Sequence, residues 1–219
     1  MSAGAPILLN DLRKIVQDFS KQYSLKYNII FNELLFNKSI RELENTFISI
    51  KKDDNDNFKI EYQNPSVQDF LVYYFKKDSE YITDILKSAK NFNQLFGIFS
   101  FRKDFDYAIS NRILLSKEQC EIVIDRICND FGNLKSTVLR NHSRSFDKEH
   151  FSDFIKLNEI LRVFDIEKHD NLKELILNHF KKIMFKGNSQ LHDKDMTSYI
   201  NIVEYFPDEF KSNKLENLE

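Results

Sequence analysis

Between Phe47 and Phe75 the chain commits itself to one local structure more firmly than anywhere else. Phe58, Ile60 and Tyr62 alternate with Lys59 and Glu61, the period of a half-buried strand. Phe47-Ile48-Ser49-Ile50 precedes it, and the run Asp53-Asp54-Asn55-Asp56-Asn57 between the two is strong turn chemistry. The pattern predicts a hairpin, Phe47–Lys52 against Phe58–Gln63. A helix start follows at once. Asn64 caps free N–H groups, and Pro65 suits the first turn, where its missing N–H has no partner to lose. Val67, Phe70, Leu71, Tyr74 and Phe75 then fall on one helical face. That face is expected to be buried, joining the hairpin to a helix beginning near Tyr81.

The rest of the chain reads as helix. Its 219 residues include only 4 Gly and 3 Pro, which favours long helices with short connections. Leu9, Leu12, Ile15, Val16 and Phe19 make one apolar stripe; a second helix is expected over Ile29 to Phe36, and a third, capped by Ser39, over Ile40 to Asn45. Three helices and then a hairpin is the order of a winged-helix domain. Beyond Phe75, stripes run over Tyr81 to Phe99, from Ser116 to Phe131, from Phe151 to Leu161, from Leu172 to Met184 with Gly187 as a stop, and from Met196 to Phe206. No repeated motif marks a true solenoid. The expected fold is mainly α: a winged-helix-like domain with one β-hairpin, no other sheet, and an α-helical array. Residues 1–8 read as an appended leader or linker, 9–78 as the first domain, 79–210 as the helical domain, and 211–219 as a disordered tail.

Charge and motifs exclude more than they assign. The formal net charge is −2, and from Leu9 to Asp78 there are 11 basic and 11 acidic residues, with the hairpin tip acidic. That balance argues against nucleic acid, whose readers show a basic face. No apolar run reaches the length of a membrane span and no secretory signal stands out, so a cytoplasmic protein with no membrane partner is expected. Cys120 and Cys128, i and i+8 on one helix, are too far apart to bridge and read as small buried apolar residues. No phosphate loop, nucleophile elbow, H-E-x-x-H or C-x-x-C occurs, so no catalytic, cofactor-binding or metal residue is assigned, and no cofactor. His179 lies in an apolar stripe and reads as a partly buried imidazole satisfied by a neighbour rather than a metal ligand. Asp53, Asp54 and Asp56 form a turn, without the Gly and distant Glu of a calcium loop. Lys135, Arg140 and Arg144, with His142 and Lys148, are weak candidates for contacting an anion, interrupted by Asp147 and Glu149.

The order E-L-E-N-T-F-I-S-I, a short loop, and F-K-I-E-Y-Q-N-P-S-V-Q-D-F-L-V-Y-Y-F resembles the segment that closes the winged-helix domain of a bacterial family of STAND-type NTPases, the novel STAND proteins. Leu43, Phe47, Ile48, Ile50, Tyr62, Asn64, Pro65, Ser66, Asp69, Phe70 and Leu71 carry the match. Ala89-Lys90-Asn91-Phe92-Asn93-Gln94-Leu95 is similar to the family's continuation into its helical region. The resemblance covers roughly residues 9 to 100. It implies a regulatory piece of a signal-transducing ATPase of a kind associated with antiphage defence, starting mid-protein. The expected partners are its own upstream ATPase domain and a protein ligand or like subunits. No ATP-binding residue carries over, because the nucleotide-binding core is not in this sequence. The competing expectation is a free-standing winged-helix nucleic-acid binder whose helices dimerise.

Overall fold

The computed structural model describes residues 6–101, 112–135, 137–141, 146–150, 152–185 and 193–210. The chain is mainly helical and divides into two compact units, Met1–His150 and Phe151–Glu219. The boundary expected between residues 78 and 79 therefore falls inside the first unit.

The first unit opens with β1 (Ile7–Leu8), α1 (Leu9–Tyr27) and α2 (Glu33–Leu43), followed by β2 (Ile48–Lys52), β3 (Phe58–Tyr62) and α3 (Pro65–Phe75). The expected hairpin forms, with Ile50 opposite Ile60 and Ile48 opposite Tyr62. Its turn is held by the Asp53 carboxylate, which accepts the N–H groups of Asn55 (3.0 Å) and Asn57 (2.8 Å), with Asp56 in the left-handed region at φ 62°. Ile7 and Leu8, within the segment expected to be a leader or linker, pair with Ile60 and Lys59, making β3 the centre of a three-stranded antiparallel sheet in the order β1-β3-β2.

Two helices precede the hairpin instead of three. Asn32 accepts from Leu34 N–H at 2.8 Å and Leu35 N–H at 3.2 Å, so the second helix starts there and runs unbroken through Ser39. Phe36 and Ile40, one turn apart, both face Ile60 in a buried cluster that a break at Ser39 would split. The first helix runs further than its stripe indicated, kinks at Tyr23, and stops where Asn28 takes φ 50°.

The α3 cap is as expected: the Asn64 side chain accepts from Val67 N–H at 3.2 Å, and Pro65 is the first helical residue. Then come α4 (Ser79–Ser88), α5 (Phe92–Phe96), β4 (Phe99–Ser100), β5 (Ile113–Leu114), α6 (Lys117–Asp130), β6 (Thr137–Asn141) and β7 (Phe146–His150). The single helix expected from Tyr81 to Phe99 is thus interrupted. Ala89 is fully buried and its carbonyl accepts from Arg126 at 2.8 Å; Phe92 N–H donates to Lys135 O at 2.7 Å; Gln94 takes the N–H groups of Lys90 and Asn91. These bonds draw residues 89–91 out of helical geometry. α6 starts as its sequence indicates, from a capping box of Ser116 and Gln119. Cys120 and Cys128 on it are half-buried rather than buried.

The expectation of no other sheet fails. Beyond β1, the chain adds a parallel pair, β4–β5, and an antiparallel pair, β6–β7, in which Arg140 stands opposite Asp147. Four short strands therefore follow residue 80, although helix still dominates.

The second unit comprises α7 (Asp153–Val163), a 3-10 turn (Ile166–Lys168), α8 (Asp170–Phe185) and α9 (Asp193–Tyr205). Ser152 caps α7 by accepting from Ile155 N–H and donates to the buried Asp195 carboxylate on α9. Leu157, Ile160, Leu172, Ile176 and Ile202 fill its core, and Phe180 stacks on Tyr199 with ring centroids 5.4 Å apart. The half-buried His179 lies 3.1 Å through Nδ1 from the Leu175 carbonyl, the satisfied imidazole its place in the stripe indicated. Gly187 and residues 211–219 lie outside the described residues.

Candidate binding groove

The α1–α2 pair, one face of the sheet and α3 enclose an open groove of about 790 Å³ in the first unit. The register explains its floor. Ile7 and Ile50 both oppose Ile60, and Ile48 opposes Tyr62, so these five side chains share one face of the sheet. Leu12, Val16 and Phe19 come from α1, at helical spacing, and Leu35, Ile40 and Leu43 from α2. Phe70, Leu71, Tyr74 and Phe75 close it from α3. Several of these residues remain open to solvent: Leu35 is 58% exposed, Phe70 54% and Tyr74 63%.

The electrostatics are spare. Glu61 is the sole charged residue bordering the groove, and strand alternation puts its side chain with Lys59 and Lys51 on the face of the sheet opposite Ile60 and Tyr62, where its two carboxylate oxygens meet those lysines, each at 2.7 Å. Hydrogen bonds from Lys51 and then Lys59 hold its carboxyl below the usual range. Burial alone pushes the Tyr62 hydroxyl up to about 12. Nothing in this lining pairs a nucleophile with a base.

A second set of contacts braces the groove from behind. Asp84 on α4, 5% exposed, accepts from the Tyr27 hydroxyl at 2.7 Å and pairs with Lys26, which also reaches Glu80 at 2.6 Å. Phe75 stacks on Tyr81 at 5.4 Å with the rings 12° from parallel, and Phe19 meets Tyr81 edge-on at 5.7 Å. α1, α3 and α4 are thereby fastened together, and the two groove residues Phe19 and Phe75 are fixed in place.

The sequence-derived positions divide cleanly. Leu43, Phe47, Phe70 and Leu71 converge on the groove. Asn64 and Pro65 build the start of α3, while Ser66 and Asp69 lie on its exposed side. Of the face expected to be buried, Val67 is buried as expected, but Phe70 and Tyr74 are exposed, and Val72, outside that face, turns inward in their place. The missed signal is that Phe70-Leu71-Val72-Tyr73-Tyr74-Phe75 is apolar all round, too wide for one contact face, so that once one side packs another is left open. The anion candidates do not assemble into a described site. Lys135 is exposed beside Asn91, Arg140 occupies the strand position paired in register with Asp147, and Arg144 lies outside the described residues.

Among the described residues no group of three or more His, Cys, Asp or Glu side chains is placed to hold a metal ion, and no helix is long and apolar enough to cross a membrane. Comparison with family models, curated proteins and solved structures finds no match to the chain.

Proposed function

We propose that this chain is a non-catalytic regulatory and interaction module, the winged-helix-like end and following helical region of a bacterial STAND-type ATPase, acting in the cytoplasm in defence against phage. The observation that carries the reading is the open apolar groove. Four residues of the family-like motif, Leu43, Phe47, Phe70 and Leu71, line it. Monomeric proteins rarely leave contiguous apolar surface of this kind without a partner for it. The order strand, two helices, hairpin, with β3 between β1 and β2, supports the winged-helix-like part of the reading. In such a machine the groove seats against the ATPase domain, and nucleotide state biases that contact.

The experiment is reconstitution. The coding region upstream of Ile7 is read for a G-x-x-x-x-G-K-[ST] loop, and the domain carrying it is expressed separately and mixed with this chain. Co-elution in size-exclusion chromatography, lost in the exposed-rim variant Leu35→Lys, is the expected result. An upstream region without a nucleotide-binding core sinks the proposal. A salt-sensitive complex with duplex DNA would instead favour the nucleic-acid reading, against which the acidic hairpin tip stands.

A further inference from the structure

The groove floor carries one polar group with nothing to bond. Tyr62 stands on the sheet face with Ile48 and Ile60, and its half-buried hydroxyl has no hydrogen-bond partner among the described residues. Burial holds its proton to about 12, so at neutral pH it can donate as well as accept. The other polar groups of the lining are accounted for. Ser20 donates to the Ile29 carbonyl at 3.2 Å, Asn32 caps α2, and Ser39 and Tyr74 are exposed to water. Glu61 lies with its lysines on the far side of the sheet. Whatever fills the groove and expels its water must offer the Tyr62 hydroxyl a hydrogen bond or leave it unpaired at a cost.

We propose that the groove binds a neutral, largely hydrocarbon small molecule carrying one oxygen, which hydrogen-bonds to the Tyr62 hydroxyl. Its 790 Å³ falls within the roughly 300–1,000 Å³ of small-molecule pockets. Leu12 to Ser20 of α1 and Leu35 to Leu43 of α2 flank it, each stretch covering roughly 12 Å at the helical rise. An extended chain advances about 1.2 Å per bond, so about ten carbons lie along these walls. Among the described residues no charged side chain points into the groove, so a carboxylate or phosphate would lose water and gain no counter-charge. The site is also pre-formed, because Tyr81 fixes Phe19 and Phe75 in its walls. A protein surface resting on the exposed rim at Leu35 and Tyr74 would leave the floor, where Ile60 is 5% exposed, unfilled. The inference goes beyond the module reading and does not need it, since it concerns this chain alone: an ATPase contact would use the rim, the ligand the floor.

The test uses the whole chain with diphenylhexatriene, a rod-shaped hydrocarbon dye that fluoresces in apolar surroundings, and 1-decanol as competitor. Saturable one-to-one binding of the dye, displaced by 1-decanol with a Kd below about 100 µM, is expected. Decanoate, ionised at about pH 8, should compete about tenfold more weakly or worse. Tyr62→Phe, which removes only the oxygen, should weaken 1-decanol about three- to tenfold, the span of one hydrogen bond, and leave the dye's affinity and the melting curve unchanged. Val16→Trp, at an exposed position in the lining, should block the groove and weaken both ligands. The inference is overturned by no dye binding, by no displacement at the solubility limit of 1-decanol, or by decanoate binding as tightly as the alcohol. An unchanged 1-decanol Kd in Tyr62→Phe, or unchanged affinities in Val16→Trp, overturns it equally. A complex with the upstream domain, formed by a chain that binds neither dye nor alcohol, overturns the ligand and leaves the module reading standing; ligand binding without that complex does the reverse.

Discussion

Phe70→Ala is the substitution that separates an open groove from a closed core. A ring buried mid-stripe typically costs 3–5 kcal/mol when removed. Here Phe70 is 54% exposed, so roughly half of its side chain leaves water on folding. Full burial of a large apolar side chain is worth about 1.5–3 kcal/mol, and half of that is about 1 kcal/mol. Its rings of contact are loose: Phe47 at 6.5 Å and Tyr74 at 6.4 Å, near the far limit for an aromatic pair. No cavity term applies, because water fills the space the ring vacates. The expected loss is about 1–1.5 kcal/mol. Ile60→Ala is the internal standard. Ile60 is 5% exposed and packs on Phe36 and Ile40, so its removal leaves a void and should cost about 2–5 kcal/mol. Urea melts of both variants, compared at a common m-value, provide the measurement. A loss at Phe70 of about 3 kcal/mol or more, matching Ile60, would refute the reasoning, since it means the groove is closed around that ring in solution.

Asn64→Ala should cost about 1 kcal/mol, the loss of one helix cap, measurable in the same melts, and no loss at all would mean the cap bond is not formed in solution. The Glu61 carboxyl is held below its ordinary value of 4.5 by two lysines, so its contribution is present above that pH and fades as pH falls through the lowered value. Glu61→Gln should therefore be less stable near neutrality and show a shallower loss on acidification; parallel pH–stability curves for the two proteins would contradict this. Burial pushes the Cys120 and Cys128 thiols up, with Glu121 and Asp125 beside them adding to the shift. Both should react with a disulfide reagent at mildly alkaline pH more slowly than in the urea-unfolded chain, and equal rates would show that the helix does not shield them.

Features whose partners lie within a few residues were legible from the amino-acid sequence alone. Asp53 closes its turn on Asn55 and Asn57, Asn64 caps Val67, and Ser116 with Gln119 starts α6. Each is a side chain bonding to nearby backbone, so residue type and spacing are enough to specify it. Period was equally readable where one face is buried, as in Phe58-Lys59-Ile60-Glu61-Tyr62. The tertiary structure decided what depends on distant groups. The helix expected from Tyr81 breaks at residues 89–91 because Arg126 and Lys135 supply bonds from far along the chain. β1 became strand because Ile60 and Lys59 offered a free edge some fifty residues away, and two residues are too few for a period to show. The groove belongs to this second class. Phe70 through Phe75 are apolar on every side, and only the competition between the hairpin and α4 for that helix determines which of them stays open to a partner.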